Sequence, residues 1–319
     1  VAARAALTAR SRSSSAAGGG RAAVRGAREK QRVGRSEHPY RKTTRRLDEH
    51  RPHAENENEG RSSSDHSATE IRMSKVTFNI WRTTSAGGEF REYTTEITEG
   101  MVVLDAVHQI QADLANDLAV RWNCKAGKCG SCSAEINGKP RLMCMTRMSD
   151  VPVDKPVVLQ PMKAFPVIRD LVTDVSVNYR IKQRIKKFKP RKPDAADGTW
   201  RISQHDVERV QEFRKCIECF LCQDVCHVLR EHQLHEQFAG PRHMVYTAAL
   251  EMHPLDIEDR TSDLKHQDGI GFCNITKCCT TVCPENITIT DNAIIPLKER
   301  VADRFYDPVK WLFRLLSNK

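Results

Sequence analysis

The chain has 319 residues and twelve cysteines, most of them bunched a few residues apart, and this bunching limits the possible folds more than any other feature. Two stretches stand out: Cys216-Ile217-Glu218-Cys219-Phe220-Leu221-Cys222-Gln223-Asp224-Val225-Cys226, and Cys273-Asn274-Ile275-Thr276-Lys277-Cys278-Cys279-Thr280-Thr281-Val282-Cys283-Pro284. The first has the spacing C-x2-C-x2-C-x3-C. The second repeats it with Thr276 in the second place and a proline at the end. A disulfide needs a fixed separation and torsion between its two cysteines, and several overlapping bridges within one such run are implausible as structural staples. Thiols spaced this way serve better as metal ligands in a reducing compartment.

In two-cluster bacterial ferredoxins the fourth cysteine of such a run serves the other cluster of the pair. Read crosswise, the two runs make one site from Cys216, Cys219, Cys222 and Cys283, and a second from Cys226, Cys273 and Cys279. The second lacks a fourth thiolate because Thr276 stands there. A hydroxyl is a hard, weakly acidic ligand and a poor match for iron in a sulfide cluster, whereas thiolate is soft and charged. The first site is therefore expected to hold [4Fe-4S] and the second [3Fe-4S]. Cys278 falls outside this register and is read as a small buried hydrophobe beside the site.

A third group lies upstream: Cys124-x4-Cys129-x2-Cys132, with Cys144 further on. This is the plant-type [2Fe-2S] spacing. Gly127 and Gly130 allow the backbone to wrap closely, so that amide N–H groups can point at sulfur. Asn137-Gly138 is a hairpin turn that returns Cys144 to the loop. A zinc site would normally use two C-x2-C knuckles, and this loop has one.

The polar segments are unevenly placed. Mean hydropathy is −0.55 and net charge +10, but residues 1–72 alone carry 16 Lys and Arg against 9 Asp and Glu. The excess thus belongs to a tail rich in Arg, Ser, Ala and Gly that reads as disordered, which argues against a folded nucleic-acid-binding face. Its first 28 residues hold no acid, as in an organellar transit peptide. The preferred reading is an overlong start, with Met73 just ahead of the first structured pattern. No apolar run is long enough to span a membrane.

From Lys75 the pattern alternates. Val76, Phe78 and Ile80, then Phe90, Tyr93 and Ile97, predict a hairpin joined near Gly87-Gly88, and Val103, Leu104, Val107, Ile110 and Leu114 predict a helix. Val157-Val158-Leu159 reads as a closing strand. Residues 179–200, with Lys182, Arg184, Lys186, Lys187, Lys189, Arg191 and Lys192, read as a solvated basic linker, with contact to an acidic partner or lipid headgroups as the functional alternative. Helices are expected around Val207–Phe213 and Met244–Met252. The expected fold class is α+β, with the chain divided at these boundaries: a tail (1–72), a β-grasp [2Fe-2S] ferredoxin domain (73–178), the linker (179–200), a helical bacterial-ferredoxin-like domain with the other two centres (201–306) and an amphipathic C-terminal segment (307–319).

With all three cysteine groups in order, the chain resembles the iron–sulfur subunits of succinate dehydrogenase and fumarate reductase over about residues 73–300. The likeness extends to Asp170-Leu171-Val172-Thr173-Asp174, Tyr179 and Gly240-Pro241. It implies electron transfer between FAD, in a separate flavoprotein subunit, and quinone at one or more membrane anchor subunits. The order is Cys124/129/132/144, then Cys216/219/222/283, then Cys226/273/279. It implies no catalytic acid–base residue in this chain, and a peripheral place at the cytoplasmic face of the plasma membrane. Ubiquinone-linked members have proline after the first run, tryptophan a few residues later, and histidine after the first cysteine of the second run. Here His227, Glu231 and Asn274 stand in those places. These departures point to a bacterial enzyme linked to menaquinone, and no quinone contacts are carried over; His227 reads as a structural hydrogen-bond donor. The rival reading is the iron–sulfur subunit of another flavoprotein complex, of the glycolate oxidase or heterodisulfide reductase kind. Those carry two complete four-cysteine runs, and Thr276 argues against it.

Overall fold

In the computed structural model, which describes residues 74–309, the alternation after Lys75 becomes a long antiparallel hairpin. These residues fall within one of the chain's two units, 67–319. The basic tail (1–73) and the C-terminal stretch beyond Val309 lie outside the described residues. Strand β1 (Ser74–Thr84) turns Val76, Phe78 and Ile80 inward and pairs along its full length with β2 (Gly87–Ile97). The turn is made by Ser85-Ala86, ahead of the expected glycines. Gly87-Gly88 instead open β2, because Gly88 lies under the Trp81 indole, where a Cβ would come within 2.3 Å of the ring.

Helix α1 (Val103–Asp113) buries Val103, Leu104, Val107 and Ile110. Strands β3 (Ser133–Ile136), β4 (Lys139–Leu142) and β5 (Val157–Gln160) complete a mixed sheet of order β2-β1-β5-β3-β4, in which β1 and β5 are parallel. The β3–β4 turn is Asn137-Gly138 with φ of 49° and 72°, the doubly left-handed pair that this dipeptide favours. A small hairpin follows, β6 (Val167–Arg169) and β7 (Val172–Thr173).

The rest is helical. Helices α2 (Ser176–Arg184) and α3 (Gln204–Gln211) lead into the first cysteine run, which carries α4 (Leu221–Asp224) and α5 (His227–Arg230). Helix α6 (Pro241–Glu251) buries seven of its eleven residues and α7 (Thr261–His266) follows it. The second run carries α8 (Cys278–Thr281), and a π-helical turn (Ile289–Ile294) continues into α9 (Ile295–Phe305). The chain is thus a mixed sheet followed by short helices, an α+β arrangement.

The sheet core and the helical core interleave. Cys219 and Leu221 of the first run pack into the sheet core, while Met162 and Phe165, which follow β5, pack among the helices. The basic stretch is held rather than free. Lys186 pairs with Asp263 at 3.0 Å, Arg191 is clamped on Asp194, and the backbone N–H groups of Arg191 and Ile257 donate to the carbonyls of Leu255 and Lys189. Its charges are largely matched by acids nearby, which weakens the reading as a free basic docking surface.

One buried ion cluster ties the sheet to the chain after it. Arg82 points inward on β1 and is 4% exposed. It meets Asp117 at 2.7 Å and Asp170 at 3.2 Å. Asp170, left-handed at φ 48°, also accepts the N–H groups of Thr83 and Ala119, each at 2.8 Å. Removing one partner of a buried pair leaves the other charge uncompensated, at a cost of about 3–5 kcal/mol. Asp170→Ala should therefore lower the thermal midpoint of the loaded subunit by several degrees, and Asp117→Ala, at the exposed end, by much less. Calorimetry checks this, and equal effects would refute it.

Candidate metal centres

The upstream loop is built so that its backbone faces its own sulfurs. Lys125, Gly127 and Gly130 are left-handed, with φ of 55°, 66° and 66°. The turns aim N–H groups inward: Ala126 and Lys128 donate to Cys124 Sγ at 3.4 and 3.3 Å, and Cys124 N donates to Cys129 Sγ at 3.5 Å. Cys144 returns on the far side of the β3–β4 hairpin, its N–H 3.4 Å from Cys132 Sγ. All four sequence-predicted cysteines of this group are therefore together. Burial raises the Cys129 thiol, but the Cys124 N–H and the Ser131 hydroxyl and N–H outweigh it and hold the group at about 6. Cys132, deeper, is pushed up by burial to about 12.

The two downstream runs are one backbone design used twice. In each, a 3₁₀ turn (Glu212–Lys215, Ile270–Phe272) leads to the first cysteine. The second and fourth residues after that cysteine are left-handed: Glu218 and Phe220 at φ 56° and 63°, Ile275 and Lys277 at 61° and 61°. A four-residue helix then begins at the fifth, Leu221 or Cys278. In this superposition Thr276 stands where the first run has Cys219.

Cys216, Cys219, Cys222 and Cys283 line one cavity together with apolar Phe220 and Ile287. Cys283 Sγ accepts the Ile287 N–H at 3.4 Å. Burial raises Cys219 to about 12 and takes Cys222 well above the ordinary thiol value. In the other group, Cys226 and Cys279 each interact electrostatically with Cys273, so these three also converge. Burial raises Cys226 to about 11. Cys278 is half-buried rather than buried, with Sγ 3.2 Å from Thr276 Oγ1, and it interacts with both Cys226 and Cys279.

These arrangements fit iron–sulfur clusters. The donors are thiols, which metal binding deprotonates whatever their free pKa. Cys216, Cys219, Cys222 and Cys283 surround a void, and inward N–H groups supply the sulfur hydrogen bonds that such centres use.

The sets differ in exposure. Cys124 is exposed, beside Trp122 at 46% and Met145 at 58%. Cys219 and Cys222 are buried. Around Cys273 the chain opens again, with Phe272 at 48% and Ile275 at 40%. Asn274 and Glu231 are exposed, and Glu231 pairs with Arg230 at 3.3 Å; His227, half-buried, opens α5 directly after Cys226.

Several contacts had no sequence signal. A Cβ on Gly130 would come within 2.6 Å of Cys219 Cα, so the upstream loop touches the first run directly. Ser133 Oγ lies 2.9 Å from the carbonyl oxygens of both Gly130 and Cys219, which share its one proton, and Lys128 pairs with Glu285 at 3.0 Å. Gly240 has φ 86° and packs on Gln223, where a Cβ would meet the amide oxygen at 2.1 Å. Thr280 and Thr290 lie against Cys279; the threonines that crowd the second run were the available hint.

Comparison with known proteins agrees with this geometry. A family described as "2Fe-2S iron-sulfur cluster binding domain" matches residues 77–180, and a "4Fe-4S dicluster domain" matches 212–287. The fumarate reductase iron–sulfur subunit of Mycobacterium tuberculosis is 33% identical over 202 residues, 62% of this chain and 80% of that protein. The succinate dehydrogenase iron–sulfur subunit of Bacillus subtilis is 29% identical, over 62% and 81%. A chain of the solved Mycobacterium smegmatis Sdh1 complex in the apo form is 58% identical and aligns with TM-score 0.71 over 75% of this chain and all of that one.

Between the cysteine groups lies a buried acid pair. Glu135 on β3 is fully buried, clamped by Arg230 and Gln160, and faces Asp224 of α4, which accepts the Ala164 N–H at 3.0 Å. Burial, with Glu135 beside it, pushes Asp224 up to about 7. A carboxyl raised in the folded state costs stability as pH climbs from its unfolded value, 3.8, to its folded one. Asp224→Asn, which keeps the acceptor for Ala164 N–H, should stabilise the loaded subunit increasingly as pH rises from about 4 to about 7. Thermal midpoints across that range check it, and a constant difference would refute it.

Proposed function

Because the chain belongs to the family of succinate dehydrogenase and fumarate reductase iron–sulfur subunits, electron-transfer subunits of an oxidoreductase complex, we propose that it conducts electrons between FAD and quinone. The FAD belongs to a flavoprotein partner, and the quinone, menaquinone in this reading, sits at the membrane anchor subunits. Cys124, Cys129, Cys132 and Cys144 are the ligands of [2Fe-2S]. Cys216, Cys219, Cys222 and Cys283 are those of [4Fe-4S], and Cys226, Cys273 and Cys279 those of [3Fe-4S]. Bound there, the clusters supply reversible one-electron storage. Residues 73–178 form a β-grasp ferredoxin domain and 201–306 a bacterial-ferredoxin-like domain, joined by 179–200.

The observation that carries this reading is the arrangement of the cysteine sets: the first reaches the second directly, and exposed apolar side chains flank the first and the third. Trp122 and Met145 offer the flavoprotein a surface at the first set. Gly130, lacking a side chain, lets the first loop reach Cys219, and Ser133 pins both backbones. Burial around Cys219 and Cys222 keeps water from the middle set. Phe272 and Ile275 present apolar surface where the third set meets the membrane subunits. In this reading the subunit is peripheral, at the cytoplasmic face, with its anchor in another chain; among the described residues no helix is long and apolar enough to cross a membrane.

Electron paramagnetic resonance of the purified complex tests the assignment. The oxidised sample should show a sharp signal near the free-electron g value. Succinate should remove it while a [2Fe-2S] signal appears. In Cys273→Ser the oxidised signal and quinone reduction should be lost, with succinate oxidation by an artificial acceptor at the flavin retained; retained quinone reduction would remove Cys273 from the path. Thr276→Cys should convert the third centre to [4Fe-4S], and an unchanged [3Fe-4S] spectrum would show that Thr276 does not stand at the vacant corner.

A further inference from the structure

The three-cysteine centre has a hydroxyl aimed at one of its sulfurs. Thr290 is 1% exposed, and its Oγ1 lies 3.4 Å from Cys279 Sγ. It occupies the π-helical turn Ile289–Ile294, a local widening of the kind that often marks functional positions. The turn also places the Thr290 N–H on Thr280 Oγ1 at 3.0 Å, and the two hydroxyl oxygens are 3.1 Å apart.

These distances fix where the protons point. A hydroxyl has one proton to give and two lone pairs. Thr280 Oγ1 already accepts the Thr290 N–H, and its own proton goes to Thr290 Oγ1. Thr290 therefore has its single proton left for Cys279. A cysteine bound to iron is a thiolate with no proton, so the Thr290–Cys279 contact has one possible polarity, with the hydroxyl donating. Burial keeps water from competing for either partner.

The first run has no such arrangement at the matching positions. Thr280 corresponds there to Gln223, whose amide is spent on Asn178 and Ala239 at 3.0 Å each. Past the fourth cysteine the two runs diverge, into α5 after Cys226 and towards the π-helical turn after Cys283, so the first run has no counterpart of Thr290. The device therefore distinguishes two centres that otherwise share one backbone design.

We propose that Thr290, oriented by Thr280, donates a hydrogen bond to Cys279 and so raises the reduction potential of the three-cysteine centre. Reduction adds negative charge that is shared with the ligand sulfurs. A donor already aimed at one of them stabilises the reduced form more than the oxidised one. Both threonines are positioning residues, acting through Cys279. The inference rests on the ligand set proposed above, and it gives the last centre a higher potential than its ligands alone would set, which favours electron arrival at the quinone end.

The test is a potentiometric titration of the intact complex followed by electron paramagnetic resonance, with Thr290→Val, Thr290→Ser and Thr280→Val. Thr290→Val removes the donor and should raise the oxidised-to-reduced ratio at the wild-type midpoint about tenfold, the size expected for one ordinary hydrogen bond. For a one-electron couple this is about 59 mV downward. Thr290→Ser keeps the donor and should titrate close to wild type. Thr280→Val, which leaves the Thr290 side chain in place, should move the midpoint part of the way down. A wild-type midpoint at full spin content in Thr290→Val overturns the proposal. If Thr290→Val does not assemble the centre, an unchanged midpoint in Thr280→Val overturns it instead. A wild-type centre that proves to be [4Fe-4S] would defeat the [3Fe-4S] assignment, while the midpoint comparison, read on the reduced signal, would still judge Thr290.

Discussion

The rest of the structure depends on one constraint: a loop that points its N–H groups at its own sulfurs must place residues in the left-handed region. In the two downstream runs those residues are Glu218, Phe220, Ile275 and Lys277, none of them glycine. For a side chain that conformation costs about 1–2 kcal/mol. Such strain persists only where the surroundings determine it, and here they do. Lys182 and Arg242 hold Glu218. Phe220 is wedged edge-on between Phe165 and Tyr179, at 6.3 and 5.9 Å. Lys277 is tied to Asp291 at 2.9 Å. The residues around the cysteines are largely explained by the need to keep these turns in place.

The same requirement accounts for the interleaved cores. If the upstream loop and the first run belonged to units that moved independently, the contact at Gly130 and Cys219 would open and close. Instead Cys219 and Leu221 are buried in the sheet core, and Met162 and Phe165 in the helical one. Glu135 and Arg230 add a buried pair across the same boundary. Separating the cysteine sets would therefore expose apolar surface on both sides and break that pair.

How much of this was legible in the sequence follows from the range of each interaction. Ligand spacing is local chemistry, so the grouping of cysteines could be read directly, as could the Asn137-Gly138 turn and the alternation of β1. Contacts between distant segments left no trace. Nothing near Asp170 announces that it partners Arg82, and nothing in the run of bases from Lys182 to Lys192 shows that Asp194, Glu218, Glu258, Asp263 and Asp268 will neutralise much of it. The shift of the first hairpin turn to Ser85-Ala86 has the same origin, since it depends on where the Trp81 ring comes to rest. Cys278 was misjudged because register says which residues lie off the ligand positions but not how deeply they are buried.

The three-cysteine centre has two sides with different tasks. Its open side carries Phe272, Asn274 and Ile275, with Glu231 on the exposed end of α5, and this chain departs from ubiquinone-linked relatives at two of those positions. Its closed side carries Cys279, Thr280 and Thr290 around the π-helical turn. An exposed rim is free to change with whatever docks on it, because its side chains do not bear on the sulfur hydrogen bonds of Cys279. A buried hydroxyl relay does not have that freedom: losing either oxygen strands a donor where no water can replace its partner, at about 1–3 kcal/mol. On this division, the residues of the open rim can diverge among relatives while, under the function and inference proposed above, the buried relay holds the potential of the centre.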